Sequence, residues 1–468
     1  MNTMKMTLGE VQVKPFEFDR NSFLFVMLIF ILQLGSFPGN LLSYIILFIF
    51  GWRSKANGIK ALSVLVPIVL QNMGLTHATS LFLIARWLIF LPALGLVLFV
   101  HGKNLKLYRW SAFMLLFGVV AVGSIFANTE SPGFGIAKLA MFLFFFFLVS
   151  GAFDHTSDFD YAPWFYSFAW AVAAASLPLY FSKYGYIRSG GSSFQGIMGQ
   201  PNGFGVFISP FVAWLGTIIV ISKKRPQWHA VLLLLILFVF LIRTQSRTSL
   251  AAVVISFAFA VMFGVGLGEN KFLRFAKRVF ITILVAFSCI LIGVEFFPDN
   301  PAFIAFKQYV WKSGDEGDPI HSGRSALYSR QEKIDQAMDR FRSSPLYGTG
   351  FGIDGESDKT VIKLGFLGSI PVSGSSEKGS LLLAILSDTG LLGLGVFAMF
   401  IGAYLGGFLK KSRIHLFPLA LSVLMINLGE SMFFAPGGLG LHVYLMMGFA
   451  RNQMLRINVH NQKPGRLV

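Results

Sequence analysis

Arginine and acidic side chains set beside small, polar stretches are the residues of this sequence whose types and spacing suit chemistry. Arg188 precedes SGGSSFQGIMGQPNGFG, Arg243 and Arg247 occupy the short stretch RTQSRTSL, and Arg324 and Arg330 lie in HSGRSALYSRQEK. A guanidinium stays charged and offers two parallel donors to two oxygens, so such a set suits a phosphate or pyrophosphate. Any one of these arginines reads equally well as an interfacial anchor. Several of them, on separate segments, favour a shared anion. Glu377 and Lys378 come just before the helix start GSLLLAILSDTGLLGL. A carboxylate there favours the helix dipole, and it equally suits a general base whose pKa is raised beside a low-dielectric cavity. Both readings stand at this level.

Other chemistries are argued against. The eight histidines are dispersed, and only His321 falls in the polar segment 298–379, so no metal-ligand cluster is expected. Gly348, Gly350 and Gly352 of YGTGFG follow a helix and a proline rather than a strand. That order argues against a nucleotide loop and for a flexible turn. The lone Cys289 lies in an apolar run, which excludes a disulfide within the chain.

The elements that must position these residues are membrane helices. The 468 residues are 54% hydrophobic and 13% charged, with a mean hydropathy of +0.66. An ordinary soluble protein has nearer a quarter of its residues charged. The 52 Phe, scattered through long apolar runs, suit lipid-facing helices rather than alternating barrel strands. Apolar runs fall at 23–37, 41–51, 61–75, 80–100, 111–126, 134–152, 163–181, 203–222, 229–242, 249–267, 279–297, 380–408, 414–428 and 438–450. The expected fold is an all-α polytopic membrane protein of about 12–14 transmembrane helices. One large extracytoplasmic loop interrupts it. The segments are an N-terminus 1–22, helices 23–297, the loop 298–379, helices 380–450 and a tail 451–468. Residues 1–22 are polar and lack a cleavable apolar core, so the first run reads as a retained span.

Charge fixes the expected orientation. Of 39 Lys and Arg, 23 fall on alternate segments that include both termini, against four in the opposite short loops: Lys183, Arg188, Arg243 and Arg247. Basic residues mark the cytoplasmic side, which places both termini inside and 298–379 outside. The same asymmetry accounts for the net charge of +17 without nucleic acid, since no basic stripe with interleaved aromatics occurs.

Within the long loop, Leu327, Ile334, Met338 and Phe341 recur at helical spacing, so Arg324–Arg342 reads as an amphipathic helix ended by Pro345. On that wheel Arg324 and Arg330 flank the apolar stripe and should face the membrane domain. Lys333 and Arg340 lie opposite. Gly390, Gly393, Gly395, Gly402 and Gly406 read as small-residue helix packing. Arg86, Lys138, Glu295 and Glu430 are charges within or at the ends of spans, which are functional suspects by default. Arg86, about 9 Å below the outer face by helical rise, and Glu430, at the start of an outward loop, suit the lining of one cavity.

Four stretches together resemble the bacterial O-antigen ligase and polymerase superfamily. IMGQPNGFGVF resembles its R…G…PN.G stretch, and TQSRTSLAAVV its SR-T/S opening of a middle span. HSGRSALYSRQEKIDQAMDRFRSSPLYGTGFG is similar to its Arg-led helix followed by PL-G-G-G. SSEKGSLLLAILSDTGLLGL is similar to its acid-x-G helix. The likeness covers Arg188 to Gly395, in order. It implies metal-free, cofactor-free glycosyl transfer outside the cytoplasmic membrane, from undecaprenyl pyrophosphate-linked oligosaccharide to a sugar hydroxyl. Arginines stabilise the leaving pyrophosphate in that picture, and by motif Arg188, Arg247 and Arg324 carry over.

Ligase-like members carry a His before the acid-x-G motif. EKGSLLLAILSDTG has none, and Asp388 replaces the commoner Glu. The resemblance therefore favours a Wzy-type polymerase of O-antigen or exopolysaccharide repeats over transfer to lipid A core. Its expected catalytic residues are Glu377, Arg324 and Arg247. Arg188, Arg330, Lys378, Arg243 and Arg86 would bind substrate. Membrane lipid, a flippase and a chain-length regulator are the partners this role implies. A transporter of lipid-linked sugars is the competing class, and it would gather Arg86, Lys138 and Glu430 at mid-depth.

Overall fold

The computed structural model describes residues 16–35, 37–70, 109–128, 132–186, 193–221, 226–263, 326–352, 361–363, 369–371, 380–410, 413–429 and 431–461. Their regular elements are helices and one antiparallel ribbon of two three-residue strands, β1 (Val361–Lys363) and β2 (Ser369–Pro371), with a lone bridge between Tyr186 and Phe194. Four helices are long and apolar enough to cross a membrane: Trp110–Ala127, Gly135–His155, Pro201–Val220 and Leu381–Gly406. Shorter apolar helices cover Arg20–Gln33, Pro38–Trp52, Trp228–Arg243, Arg247–Met262 and Ile414–Leu428. The runs expected at 80–100 and 279–297 lie outside the described residues.

In chain order the helices are α1 (Arg20–Gln33), α2 (Phe37–Trp52), α3 (Lys55–Val69), α4 (Arg109–Asn128) and α5 (Pro132–His155). They continue with α6 (Ala162–Tyr180), α7 (Pro201–Ile221), α8 (Trp228–Arg243), α9 (Arg247–Phe263) and α10 (Ala326–Ser343). The last are α11 (Leu381–Gly406), α12 (Phe417–Met425) and α13 (Leu439–Asn461). Proline at the first turn starts α2 and α7, where its missing N–H costs no intrahelical bond. The centre of the fold is α7, almost wholly buried and packed by α8, α9 and α12. A second group pairs α4 with α11 and α5 with α13.

The phenylalanines divide: Phe126, Phe144 and Phe238 are exposed on apolar helices, as expected of lipid-facing positions. Phe142, Phe146, Phe153, Phe165, Phe168, Phe194 and Phe204 are fully buried among protein rather than turned to lipid. Lipid is as apolar as a Leu side chain, so packing geometry, not burial from water, selects what sits inside. Edge-to-face ring pairs such as Phe146 on Tyr444, at 5.6 Å, supply it.

Segments that charge asymmetry assigns to one side gather at one end of the fold. Arg451 pairs with Asp154 at 2.6 Å and stacks over Trp110. Arg456 pairs with Asp160 at 3.3 Å, and Lys60 lies over Phe159 and Trp164. The Ser167 hydroxyl accepts a hydrogen bond from the Asp19 N–H at 2.8 Å. Of the described candidates, Arg243 and Arg247 lie at the opposite end, where α6 finishes at Tyr180.

Candidate functional site

Two foci form at that end, and each joins two of the four sequence stretches. In the first, the loop leading to α7 docks on the turn between α8 and α9. The Phe194 N–H donates to the Arg243 carbonyl at 2.8 Å, and the Ser193 hydroxyl donates to the Gln245 side-chain carbonyl at 2.8 Å. Gln245 has φ 55°, the one positive value at a non-glycine residue among those described. Such a residue costs about 1–2 kcal/mol, and the Ser193 bond holds it. Beneath this turn lies Gly205 of PNGFG, where a Cβ would stand 2.6 Å from the Ser246 Cβ. The PNGFG glycine thus lets α7 approach the turn directly.

Arg243 ends α8, exposed, its Nε donating to the Tyr180 hydroxyl at 3.2 Å with the guanidinium 5.8 Å over that ring. Arg247 opens α9 and is partly buried, with Nε and one terminal nitrogen shielded from solvent. A helix N-terminus carries partial positive charge, so an arginine in the first turn is disfavoured by about 0.3–1 kcal/mol. The same superposition makes the spot attractive to an anion.

In the second focus, Pro345–Gly352 inserts into a break in α11. Gly390 has φ 65° and ψ −162°, so the helix turns there and its backbone groups lose their usual partners. The inserted segment supplies new ones. Leu391 and Leu392 N–H groups donate to the Pro345 and Leu346 carbonyls at 2.9 and 3.3 Å. Thr349 and Gly350 N–H groups donate to the Ser387 and Asp388 carbonyls at 2.9 and 3.1 Å. Ser124 of α4 also donates to the Asp388 carbonyl, at 2.5 Å.

The YGTGFG glycines are therefore a seated wedge and not a flexible turn. Gly348, Gly350 and Gly352 all have positive φ, at 73°, 114° and 72°, a conformation that side chains resist. Phe351 between them is buried among Phe117, Phe142 and Phe434. Asp388, 3% exposed, accepts the Gly352 N–H at 3.1 Å. Lys138 of α5 donates its ammonium to the Gly352 carbonyl at 2.7 Å.

The glycines expected to form a packing stripe on α11 differ in their surroundings. Gly390 breaks the helix, while Gly395, Gly402 and Gly406 have nothing described within 4 Å of where a Cβ would sit. They do not line a helix contact among the described residues.

The loop helix forms as expected, over Ala326–Ser343, but faces differently. Among its described side chains Ala337 is buried, and Met338 and Phe341 of the expected stripe are half-buried together with Lys333 and Arg340, which the sequence pattern sets opposite, whereas Ile334 is exposed. Packing of α10 against α11 decides this, not the apolar stripe alone.

The turn Ile426–Leu428 packs against both α9 and α11 and so spans the two foci. At Gly429 a Cβ would run into the Thr248 hydroxyl. Arg86, Arg188, Arg324, Glu377, Lys378, Glu295 and Glu430 lie outside the described residues, so neither the full arginine cluster nor the Glu377 base is placed. Among the described residues no group of histidine, cysteine or acidic side chains is arranged to hold a metal ion. The sequence reading missed Ser193, Gln245, Ser124 and the Lys138–Gly352 contact. Alternation of glycine at 348, 350 and 352 was the available signal for the wedge. Comparison with models of known families and with curated proteins gives no match.

Proposed function

We propose that this chain is a membrane glycosyltransferase that joins undecaprenyl pyrophosphate-linked oligosaccharide repeats into O-antigen or exopolysaccharide. The reading places both termini in the bacterial cytoplasm, about 12–14 helices in the inner membrane, and the two foci on its outer face. One observation carries it. The four stretches that resemble the superfamily meet in pairs: GQPNGFG with TQSRTS, and PLYGTGFG with SDTGLLG.

Arg247, at a positive helix start, is suited to the pyrophosphate, and Arg188 and Arg324 would complete the grip. As the glycosidic oxygen–carbon bond to pyrophosphate breaks, negative charge grows on the phosphate oxygens, and fixed guanidinium groups lower that barrier. Glu377 would take the proton of the attacking hydroxyl, a contribution of about a hundredfold to ten-thousandfold.

The test is purified protein in liposomes given lipid-linked single repeats, with products sized on gels. Ladders that vanish in Glu377→Gln, while the repeat still binds, support the scheme. A Glu377→Gln ladder at the parental rate would remove the base, and no ladder from parental protein would remove the polymerase.

A further inference from the structure

The left-handed residue that is not glycine, among those described, lies between the two arginines of the α8–α9 turn: Gln245, at φ 55°. Glycine takes that conformation without steric cost. A glutamine held there under strain implies a use for its side chain, and strained residues gather where geometry serves function. That side chain is engaged: its carbonyl accepts the Ser193 hydroxyl at 2.8 Å. The next residue of the same segment, Phe194, donates its N–H to the Arg243 carbonyl at 2.8 Å. The loop before α7 therefore grips the turn at two points, residues 243 and 245.

The grip reaches Arg247 through the backbone. Only Thr244, Gln245 and Ser246 stand between the end of α8 and the start of α9, so the dihedrals of Gln245 set the direction in which α9 leaves. The Thr244 hydroxyl donates to the Leu241 carbonyl at 2.7 Å and accepts the Ser246 N–H at 3.2 Å. The Ser246 carbonyl in turn accepts the Leu250 N–H at 3.0 Å, inside α9. Rotation at Gln245 thus carries the first turn of α9, and Arg247 with it.

We infer that Gln245 is a positioning residue, which with Ser193 forms a clamp that aims Arg247 at the pyrophosphate. The inference rests on the phosphate role proposed above for Arg247. A guanidinium meets two phosphate oxygens through paired donors only in a narrow range of orientations. A displacement of about 1 Å in a well-oriented site costs about a hundredfold. Glycine at 245 would keep the left-handed backbone, relieve its strain and remove the clamp. The aim is then lost while the fold is kept.

The experiment uses the full chain in nanodiscs with geranyl pyrophosphate and geranyl monophosphate as probes. Affinity is read by calorimetry and stability by thermal unfolding. In the parent the pyrophosphate should bind more tightly than the monophosphate, a preference that Arg247→Ala removes. Gln245→Gly should weaken the pyrophosphate about tenfold, the scale of one hydrogen bond to a charged group. It should melt within a few degrees of the parent, because relief of strain offsets the lost Ser193 bond. Ser193→Ala should weaken the pyrophosphate equally, and the double variant no more than either single, since all three lose one shared bond. Ser193→Thr, which keeps the hydroxyl, should restore binding. Parental affinity in Gln245→Gly and Ser193→Ala overturns the clamp and leaves the role of Arg247 standing. Affinity and melting temperature that fall together in both variants overturn it as well. If Gln245→Gly does not fold, Ser193→Ala against Ser193→Thr decides. A parent without preference for pyrophosphate removes the phosphate reading, and the clamp with it.

Discussion

Replacing Gly390 by alanine tests the wedge most directly. At φ 65° and ψ −162° the residue occupies a region open to glycine almost alone, and a side chain there costs about 1–3 kcal/mol. The new Cβ would also press on the Leu346 carbonyl and lie 2.7 Å from that of Pro345. Both obstacles are backbone, so they cannot rotate away; the wedge must move. Four backbone hydrogen bonds join wedge to helix, each worth about 1 kcal/mol net. Their loss, added to the strain, amounts to about 5–7 kcal/mol. Water is scarce at this depth, so the freed groups have few substitutes. A stability of about 5–15 kcal/mol is typical of a folded domain, so Gly390→Ala should lower the yield of monodisperse protein sharply. The internal control is Gly395→Ala, five residues along the same helix, where no described atom lies within 4 Å of a Cβ. Alanine there should be neutral or gain about 0.5–1 kcal/mol from helix propensity. Thermal unfolding in nanodiscs, followed by tryptophan fluorescence, compares the two. A Gly390→Ala protein that melts with the parent, or a Gly395→Ala protein that falls with Gly390→Ala, would refute the reasoning.

Further outcomes are expected at other sites. Arg247→Lys keeps the charge but loses paired donors, so turnover of lipid-linked repeats should drop strongly at normal protein level; unchanged turnover in Arg247→Ala would leave only an anchor. Arg451→Met strands the half-buried Asp154 carboxylate and should cost about 3 kcal/mol, most of it recovered by adding Asp154→Asn, as a thermal double-mutant cycle would read. Gly205→Ala should push the Ser246 turn outward and cost about 1–3 kcal/mol, seen as faster proteolysis between α8 and α9. Tyr347→Cys should react with an impermeant thiol reagent in cells whose cytoplasmic membrane is intact; reaction only after that membrane is opened would reverse the orientation.

Helices and their rough limits were legible because apolar length is a local property. The runs at 111–126, 134–152, 203–222 and 380–408 all recur as long apolar helices. Pairing of the stretches was not legible: Gly348, Gly350 and Gly352 read as a flexible turn and Gly390 as helix packing, although glycine at these positions and at 205 is what close backbone approach or a left-handed turn requires. What each glycine meets was not legible either. The break at Gly390 looks like an ordinary small residue in an apolar run until the Pro345–Gly352 wedge arrives to take its hydrogen bonds. Lys138 read as a suspect charge, and its hydrogen bond to the Gly352 carbonyl joins segments that the sequence keeps far apart. The face of α10 followed the same rule. Its sequence pattern names Ile334, Met338 and Phe341 as inward; Met338 and Phe341 are half-buried, but Ile334 is exposed while Ala337, Lys333 and Arg340 are covered. Local sequence determines where helices form because their hydrogen bonds close within a few residues. Which side chains share a site depends on contacts between segments as far apart as Ser124 and Asp388, and those are decided only when the helices pack.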